Sequence, residues 1–155
     1  MSDIMTTSYI ALGSNLNNPK KQVQDAITHI ANISRTIITA QSSLYKTKPL
    51  GPQNQPDYVN QVIAVTTQLS PHELLKALLE IELQMGRIRL ERWGARIIDC
   101  DIILFGNQVI QTPDLIIPHP EMKNRNFVLY PLAEIAPDLM LPSGERLSNL
   151  IECLV

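Results

Sequence analysis

Residues 98–105, I-D-C-D-I-I-L-F, restrict the possible folds of this chain more than any other segment. The segment is apolar and rich in β-branched residues apart from two aspartates, which is typical of a strand inside a sheet. Because side chains alternate faces along a strand, Asp99 and Asp101 point to one face, whereas Cys100 and its isoleucine neighbours point to the other. The sequence therefore predicts a sheet with one buried face and a second face that carries two carboxylates roughly 7 Å apart at the backbone.

Two like charges on one sheet face repel each other, so Asp99 and Asp101 require a compensating partner. Protonation of one carboxylate, a nearby arginine or divalent cations would each serve. Carboxylate oxygens suit a hard ion such as Mg2+, which usually completes its shell with water and substrate phosphate.

The loop before this strand is strongly basic. Residues 86–96 contain four arginines and one glutamate, a local charge of +3 in a chain that carries −2 overall. Guanidinium groups match phosphate oxygens bidentately, and Trp93 offers a flat face for stacking. Arginines beside an aspartate pair are typical of magnesium-dependent handling of a polyphosphate. An edge strand with Asp–Arg ion pairs and a solvated loop is the alternative, and these residues alone leave both open.

Composition indicates one ordinary globular domain, residues 1–155, with 45% apolar and 18% charged residues. The overall negative charge argues against broad nucleic-acid binding, so a small anionic ligand fits the local basic charge better. Cys100 and Cys153 do not make a disulfide framework. No apolar run approaches transmembrane length and residues 1–7 lack a signal-peptide core, so we expect a cytoplasmic protein without a membrane partner.

Periodicity predicts strands alternating with helices. The order β-α-β-β-α-β, with small C-terminal additions, predicts an α+β, ferredoxin-like fold in which helices cover one face of an antiparallel sheet and the other is left for ligands. The predicted elements are strands at 8–12, 36–46, 58–69 and 98–105, a helix after Asn18-Pro19, a helix from a capping box at Ser70 to Gly86, a proline-rich loop at 47–57, a hairpin turn at Gly106-Asn107 before 108–111, a helix at 128–136, a turn at 142–144 and a helical turn from Leu147.

Four segments, in order along the chain, resemble one known family. They read Y-I-A-L-G-S-N-L at 9–16, L-G-P-Q-N-Q-P-D-Y-V-N at 50–60, R-W-G-A-R-I-I-D-C-D-I-I-L-F at 92–105 and P-H-P-E-M-K-N-R-N-F at 118–127. Together they are similar to the 6-hydroxymethyl-7,8-dihydropterin pyrophosphokinases, which are enzymes of folate biosynthesis. The resemblance extends over nearly the whole chain, from about Tyr9 to about Gly144.

This resemblance implies a transferase that moves the terminal two phosphates of ATP, as one pyrophosphoryl unit, to the hydroxymethyl group of the reduced pterin and releases AMP. It implies that Asp99 and Asp101 are catalytic and bind two Mg2+ ions, with in-line transfer at the β-phosphorus. Two metal ions that clamp the attacking and leaving oxygens are a known solution for such transfers, in agreement with the charges described above.

The resemblance also assigns residues to the two substrates. Arg87 and Arg96 are implied to be catalytic residues that engage the phosphates, and Arg89 and Trp93 to belong to a loop that closes over the substrates. The nucleotide-binding positions that it implies are Glu82, Arg89, Trp93, Arg96, Ile102, His119 and Arg125. The pterin-binding positions are Thr47, Pro49, Leu50, Tyr58, Asn60, Trp93, Asp99 and Phe127.

Some of these positions have a simpler interpretation. Asn60 fits a solvent-facing strand end as well as a buried amide that recognises the edge of a flat heterocycle, and His119 between two prolines fits a structural role. The chain also departs from some family members at Pro120 and Leu79, and its arginine loop is about a residue shorter. These departures concern nucleotide contacts.

Two other kinds of function fit the sequence less well than the enzyme does. A non-catalytic ferredoxin-like module that binds RNA needs exposed aromatic residues on central strands, whereas Asp99 and Asp101 would repel phosphates in the absence of metal. An oligomeric structural subunit gives no reason for the segments at 50–60 and 118–127. We expect a monomer whose only partners are ATP and the pterin, with no nucleic acid.

Overall fold

A computed structural model of the chain describes residues 4–48, 57–86 and 97–152. It is a mixed fold of helices and antiparallel strands. Its elements are β1 Thr6–Ser14, α1 Pro19–Ala31, β2 Thr36–Gln41, β3 Tyr45–Thr47, β4 Tyr58–Thr67, α2 Pro71–Gln84, β5 Asp99–Phe105, β6 Ile110–Gln111, β7 Ile116–Ile117, a 3-10 helix Met122–Asn124, α3 Asn126–Ile135 and α4 Leu147–Glu152.

The main sheet has five strands. Four of them lie in the order β2-β4-β1-β5, and β3 pairs with β4 beside β2. All of these pairings are antiparallel. The predicted α+β class with an antiparallel sheet is therefore confirmed. A separate two-stranded sheet joins β6 and β7.

Helices α1 and α2 cover one face of the main sheet. Their apolar residues repeat at helical spacing, so each helix presents one apolar side to the strands. Cys100 and Ile102 of β5 point to this side, as the alternation in the sequence predicts. The core on this face contains Ile10, Leu12, Val23, Ala26, Ile30, Ile63, Val65, Leu74, Leu78, Ile81, Ile98, Cys100, Ile102 and Phe105, among others.

The opposite face is partly covered as well, which corrects the expectation that helices lie on one face only. A second core forms where α3 and the C-terminal segment pack on the strands, and it includes Val62, Ile103, Leu104, Leu129 and Leu132. The reason is that β4 and β5 are apolar at both alternating sets of positions over part of their length, so both faces must be removed from water there.

The predicted strand at 36–46 is interrupted. The structure has two strands, β2 and β3, with Ser42 between them. The Ser42 amide donates to the Val62 carbonyl (2.9 Å), and the Ser42 hydroxyl accepts from the Val62 amide (3.0 Å). A side-chain oxygen thus replaces a backbone acceptor of the ladder, an option that serine offers and that periodicity does not reveal.

The predicted hairpin after β5 is wrong. The chain does turn at Gly106, which has φ of +54° and whose added Cβ would lie 2.9 Å from Thr6 Cγ2. However, β6 pairs with β7 and not with β5. The amide of Gly106 donates to the Thr7 carbonyl at 2.8 Å, so the turn stays attached to β1 while the chain leaves the sheet.

Both predicted helix starts are found, with different chemistry. Ser70 and Glu73 form the predicted capping box, in which the serine hydroxyl accepts from the Glu73 amide (3.2 Å) and the Glu73 carboxylate accepts from the Ser70 amide (2.8 Å). Asn18 precedes α1 in a left-handed conformation, and its side chain makes no capping bond. The C-terminal helices occur close to where they were predicted. No helix within the described ranges is both long and apolar enough to cross a membrane.

We predict that Ser70→Ala lowers the free energy of unfolding by about 1 kcal/mol, because the Glu73 amide at the start of α2 loses the serine hydroxyl as its acceptor. Urea unfolding followed by circular dichroism measures this difference. Ser34→Ala, at an exposed serine outside any helix start, is the control and should leave the midpoint unchanged. Equal midpoints for the two variants would contradict the prediction.

Candidate active site

The register of the neighbouring strands β4, β1 and β5 brings predicted site residues into one row. Asn60 of β4 pairs with Gly13 of β1, and Gly13 pairs with Asp99 of β5. Asp101 lies one row further along, opposite Ala11. Since neighbouring strands are about 4.8 Å apart, roughly 10 Å separate the backbones of Asn60 and Asp99. An amide and two carboxylates therefore share one face and one end of the sheet.

Gly13 keeps the middle of this row open. A Cβ at this position would lie 3.1 Å from Asn60 Oδ1 and 3.7 Å from Tyr58 Cδ1. Any larger residue would place atoms in the space between the amide and the carboxylates. The strand predicted at 8–12 ends before this glycine, whereas β1 continues to Ser14, so Gly13 is absent from the site residues predicted from the sequence. The signal was available, because a glycine within a strand often marks a close approach.

Asn60 is buried, so its interpretation as a solvent-facing strand end is wrong. Its Nδ2 donates to Thr47 Oγ1 at 2.7 Å and lies 3.5 Å from the Tyr45 carbonyl. The amide nitrogen is thus directed toward β3, and the amide oxygen toward the space above Gly13. Tyr58 is half-buried two residues away on the same face and pairs with Thr47. These residues form the β4 side of the candidate site.

Asp99 and Asp101 are half-buried on the face opposite Cys100, as predicted. The described residues contain no group of three or more His, Cys, Asp or Glu side chains arranged to hold a metal ion. Two half-buried carboxylates on one face nevertheless fit Mg2+, because this ion usually takes one or two protein carboxylates and fills its remaining positions with water and phosphate oxygens. The donor set is hard oxygen only, as Mg2+ requires.

His119 lies near Asp101 at the edge of the site. Its backbone amide donates to the Ile103 carbonyl (2.9 Å), and its Nδ1 accepts from the Glu121 amide (3.1 Å). Burial lowers the pKa of His119, and the charge of Asp101 opposes part of this effect. A neutral ring whose Nδ1 is an acceptor carries its proton on Nε2, so His119 can donate one hydrogen bond to an anion there.

Arg125 and Phe127 flank the start of α3. The guanidinium carbon of Arg125 lies 5.6 Å from the centre of the Phe127 ring, within the range of a cation–π contact. Phe127 is half-buried and packs against the second core. The two side chains place a positive charge and an aromatic ring on the side of the sheet that carries α3.

Glu82 and Ile102 are not brought onto this face. Ile102 is buried between the sheet and the two helices. Glu82, on α2, is buried and accepts a hydrogen bond from the Cys100 amide at 2.7 Å, at the outer edge of β5. Their assignment to the nucleotide stays a prediction. The other predicted site residues, Pro49, Leu50, Arg87, Arg89, Trp93 and Arg96, lie outside the described residues.

Two bacterial proteins with similar sequences carry the same name. A protein from Haemophilus influenzae is 53% identical over 148 residues, which are 96% of this chain and 92% of the relative. A protein from Pseudomonas aeruginosa is 50% identical over 92% of this chain and 88% of its own length. Both are named 2-amino-4-hydroxy-6-hydroxymethyldihydropteridine pyrophosphokinase.

Solved structures support the fold. The crystal structure of Plasmodium falciparum HPPK-DHPS with pteroate superimposes on the whole of this chain with a TM-score of 0.77 at 15% identity. This chain spans 44% of that longer chain, so the match describes a shared fold within a larger protein.

The model of the 7,8-dihydro-6-hydroxymethylpterin-pyrophosphokinase (HPPK) family matches residues 9–137, which include Gly13, Asn60 and Asp99. Together with the identity to the bacterial relatives, this match shows that the chain belongs to that family.

Proposed function

We propose that this protein transfers pyrophosphate from ATP to 6-hydroxymethyl-7,8-dihydropterin, giving the pterin diphosphate and AMP in the biosynthesis of tetrahydrofolate. The observation that carries the proposal is the row in which the Asn60 amide and the Asp99 carboxylate stand on either side of Gly13. A flat heterocycle needs a buried amide at its polar edge, and a triphosphate needs a magnesium site close by. The row offers both, and the names of the bacterial relatives agree with it.

The pterin is proposed to bind over Gly13. Asn60 Oδ1 would accept from a ring N–H, and Thr47 would hold the amide in that orientation through its 2.7 Å bond. Tyr58 and Phe127 are aromatic and half-buried on this side of the sheet, so they are suited to contact the faces of the ring. Pro49, Leu50 and Trp93 are assigned to the same pocket by family resemblance.

Asp99 and Asp101 are proposed to hold two Mg2+ ions, with the pterin hydroxyl close to the β-phosphorus. Bound Mg2+ would supply neutralisation of the triphosphate and a fixed alignment of the attacking and leaving oxygens. Asp99 also lies at the end of the row occupied by the pterin, so its carboxylate links the two substrates. Positioning and charge neutralisation provide most of the catalysis in reactions of this type.

The phosphates are proposed to bind hydrogen-bond donors from several segments of the chain. His119 offers a neutral Nε2–H beside Asp101, and Arg125 offers a guanidinium group near Phe127. Arg87, Arg89, Trp93 and Arg96 are assigned to the phosphates and to a closing loop by family resemblance, as Glu82 and Ile102 are assigned to the nucleotide pocket.

The fold topology, the oligomeric state and the cellular location of this protein are also proposals. The strand order β2-β4-β1-β5, with α1 and α2 as the two crossovers, supports a ferredoxin-like arrangement with additions that include α3. We propose a single-domain monomer that works in the cytoplasm and binds no nucleic acid. An RNA-binding module would present aromatic residues on β1 and β5 of the open face, where this chain has Gly13, Asp99 and Asp101.

We expect the purified protein to form AMP and the pterin diphosphate from ATP, Mg2+ and hydroxymethyl dihydropterin, because pyrophosphoryl transfer leaves AMP. Anion-exchange chromatography of the nucleotides measures the products. The control omits the pterin and should leave ATP intact. Stoichiometric ADP would instead indicate an ordinary kinase and overturn the proposal.

Asp101→Ala should lower turnover by about 100-fold or more, since one of two carboxylates proposed to hold Mg2+ is lost while the fold is kept. The assay is AMP release at several Mg2+ concentrations, with urea unfolding to verify stability. Asp138→Ala removes an exposed carboxylate away from the row and is the matched control. Wild-type turnover in Asp101→Ala would remove the proposed metal site.

Gly13→Ala should weaken pterin binding roughly tenfold, because its new methyl group would crowd the Asn60 oxygen and enter the space proposed for the ring. Calorimetric titration of the pterin and of an ATP analogue measures both affinities. The affinity for the ATP analogue should stay within about twofold of wild type, because the new methyl group lies away from the site proposed for the triphosphate. Unchanged pterin affinity would show that the ring does not lie over Gly13.

A further inference from the structure

The strand that holds Asn60 in place is itself short. β3 has three residues, Tyr45–Thr47, and among the described residues its strand partner is β4. None of the three is buried. Yet Thr47 accepts the 2.7 Å hydrogen bond from Asn60 Nδ2, so the direction of the buried amide depends on where β3 lies.

One carboxylate ties β3 to the rest of the molecule. Glu134 of α3 accepts from the Tyr45 hydroxyl at 2.7 Å through Oε1. Its Oε2 accepts from both the amide (2.9 Å) and the hydroxyl (2.8 Å) of Ser43. Three donors at the start of β3 therefore converge on both oxygens of a single side chain.

The electrostatics agree with an ionised Glu134. Its pKa is lowered, chiefly by the hydrogen bond from Tyr45 and then by those from Ser43. The pKa of Tyr45 is raised, chiefly because its hydroxyl donates a hydrogen bond to this carboxylate. At neutral pH the group is thus a negatively charged acceptor with donors on each oxygen, the stronger class of hydrogen bond.

The hydrogen bonds of Glu134 constrain β3 more than they constrain α3. Helix α3 already packs through Val128, Leu129 and Leu132, which are buried in the second core together with Val62 of β4. β3 has no comparable buried side chain. The Glu134 carboxylate therefore joins a well-packed helix to a weakly packed strand. Because the helix is held by its own core contacts, the hydrogen bonds fix the position of β3.

We infer that Glu134 is a positioning residue for the pterin side of the site: by fixing Tyr45 and Ser43 it sets β3, and through Thr47 it directs the Asn60 oxygen toward the space over Gly13. The inference rests on the proposed function for the identity of the ligand. Glu134 itself lies on the surface of α3 and was not singled out by the sequence.

The test is Glu134→Gln, which keeps the size of the side chain but replaces one acceptor oxygen with an NH2 group that cannot accept from Ser43 or Tyr45. Pterin affinity, or its KM, should weaken by about tenfold, whereas the affinity for an ATP analogue and kcat should change by less than about twofold. A purely structural role would move both substrates alike or lower only the urea midpoint, and either result overturns the inference.

Asp114→Asn is the matched control. Asp114 is also an exposed carboxylate that accepts from a neighbouring hydroxyl, Thr112 Oγ1 at 2.9 Å, but it lies beside the start of α2, away from the row of Asn60, Gly13 and Asp99. Neither pterin affinity nor ATP affinity should change. Tyr45→Phe should weaken the pterin less than Glu134→Gln does, and the double variant should be no weaker than Glu134→Gln alone, since both changes break one network.

A second measurement separates this inference from the proposed function. The side-chain NH2 resonances of Asn60 should shift in Glu134→Gln and not in Asp114→Asn, in protein without substrate. If wild type binds no pterin, the proposed function fails, and the Asn60 resonances still decide whether Glu134 positions the amide. Unchanged resonances, or unchanged pterin affinity in Glu134→Gln of a wild type that binds the pterin, overturn the inference.

Discussion

The register of β1 between β4 and β5 is the constraint on which the rest of the structure depends. Ile10 and Leu12 must point into the core under α1 and α2, and their burial fixes which face of β1 is apolar. Gly13, the position after Leu12, is then forced to the other face, and pairing carries Asn60 and Asp99 there with it. A slip by one residue would turn the carboxylates toward the apolar core, where isolated charges are strongly disfavoured. The core that stabilises the fold therefore also decides where the polar site lies.

The second face is divided between packing and chemistry. Toward one end, Ile103 and Leu104 are covered by α3 and the C-terminal segment. Toward the other, glycine, an amide and two carboxylates take the place of apolar side chains. α3 serves both parts, since its buried side holds the helix on the sheet and its exposed Glu134 reaches β3. A site built on strands and braced by a packed helix keeps its geometry better than one built on loops alone.

Local patterns predicted what depends on local physics. The alternation at 98–105 placed Asp99 and Cys100 on opposite faces because strand periodicity leaves no other choice, and the capping box at Ser70 was confirmed because its partners lie three residues apart. The failures involve partners far apart in sequence. The break at Ser42 depends on the backbone of Val62, and Glu134 meets Ser43 across 91 positions of sequence. Gly13 became informative only when the register showed what its missing side chain would have touched.

Under the proposed function, the row also places the recognition amide and the metal-binding carboxylates on separate strands. β4 carries the amide that would recognise the heterocycle, and β5 carries the carboxylates that would handle charge, with β1 and its glycine between them. Because β3 pairs with β4 and Glu134 hydrogen-bonds to Tyr45 of β3, a change at Glu134 acts on the Asn60 amide through the β4 side of the row. Conversely, burial lowers the pKa of His119, the charge of the Asp101 carboxylate opposes part of this effect, and this carboxylate lies two strands away from the Asn60 amide. Under the proposed function, recognition of the heterocycle by Asn60 and handling of phosphate at Asp101 could therefore vary separately, provided that the register of β1 is kept.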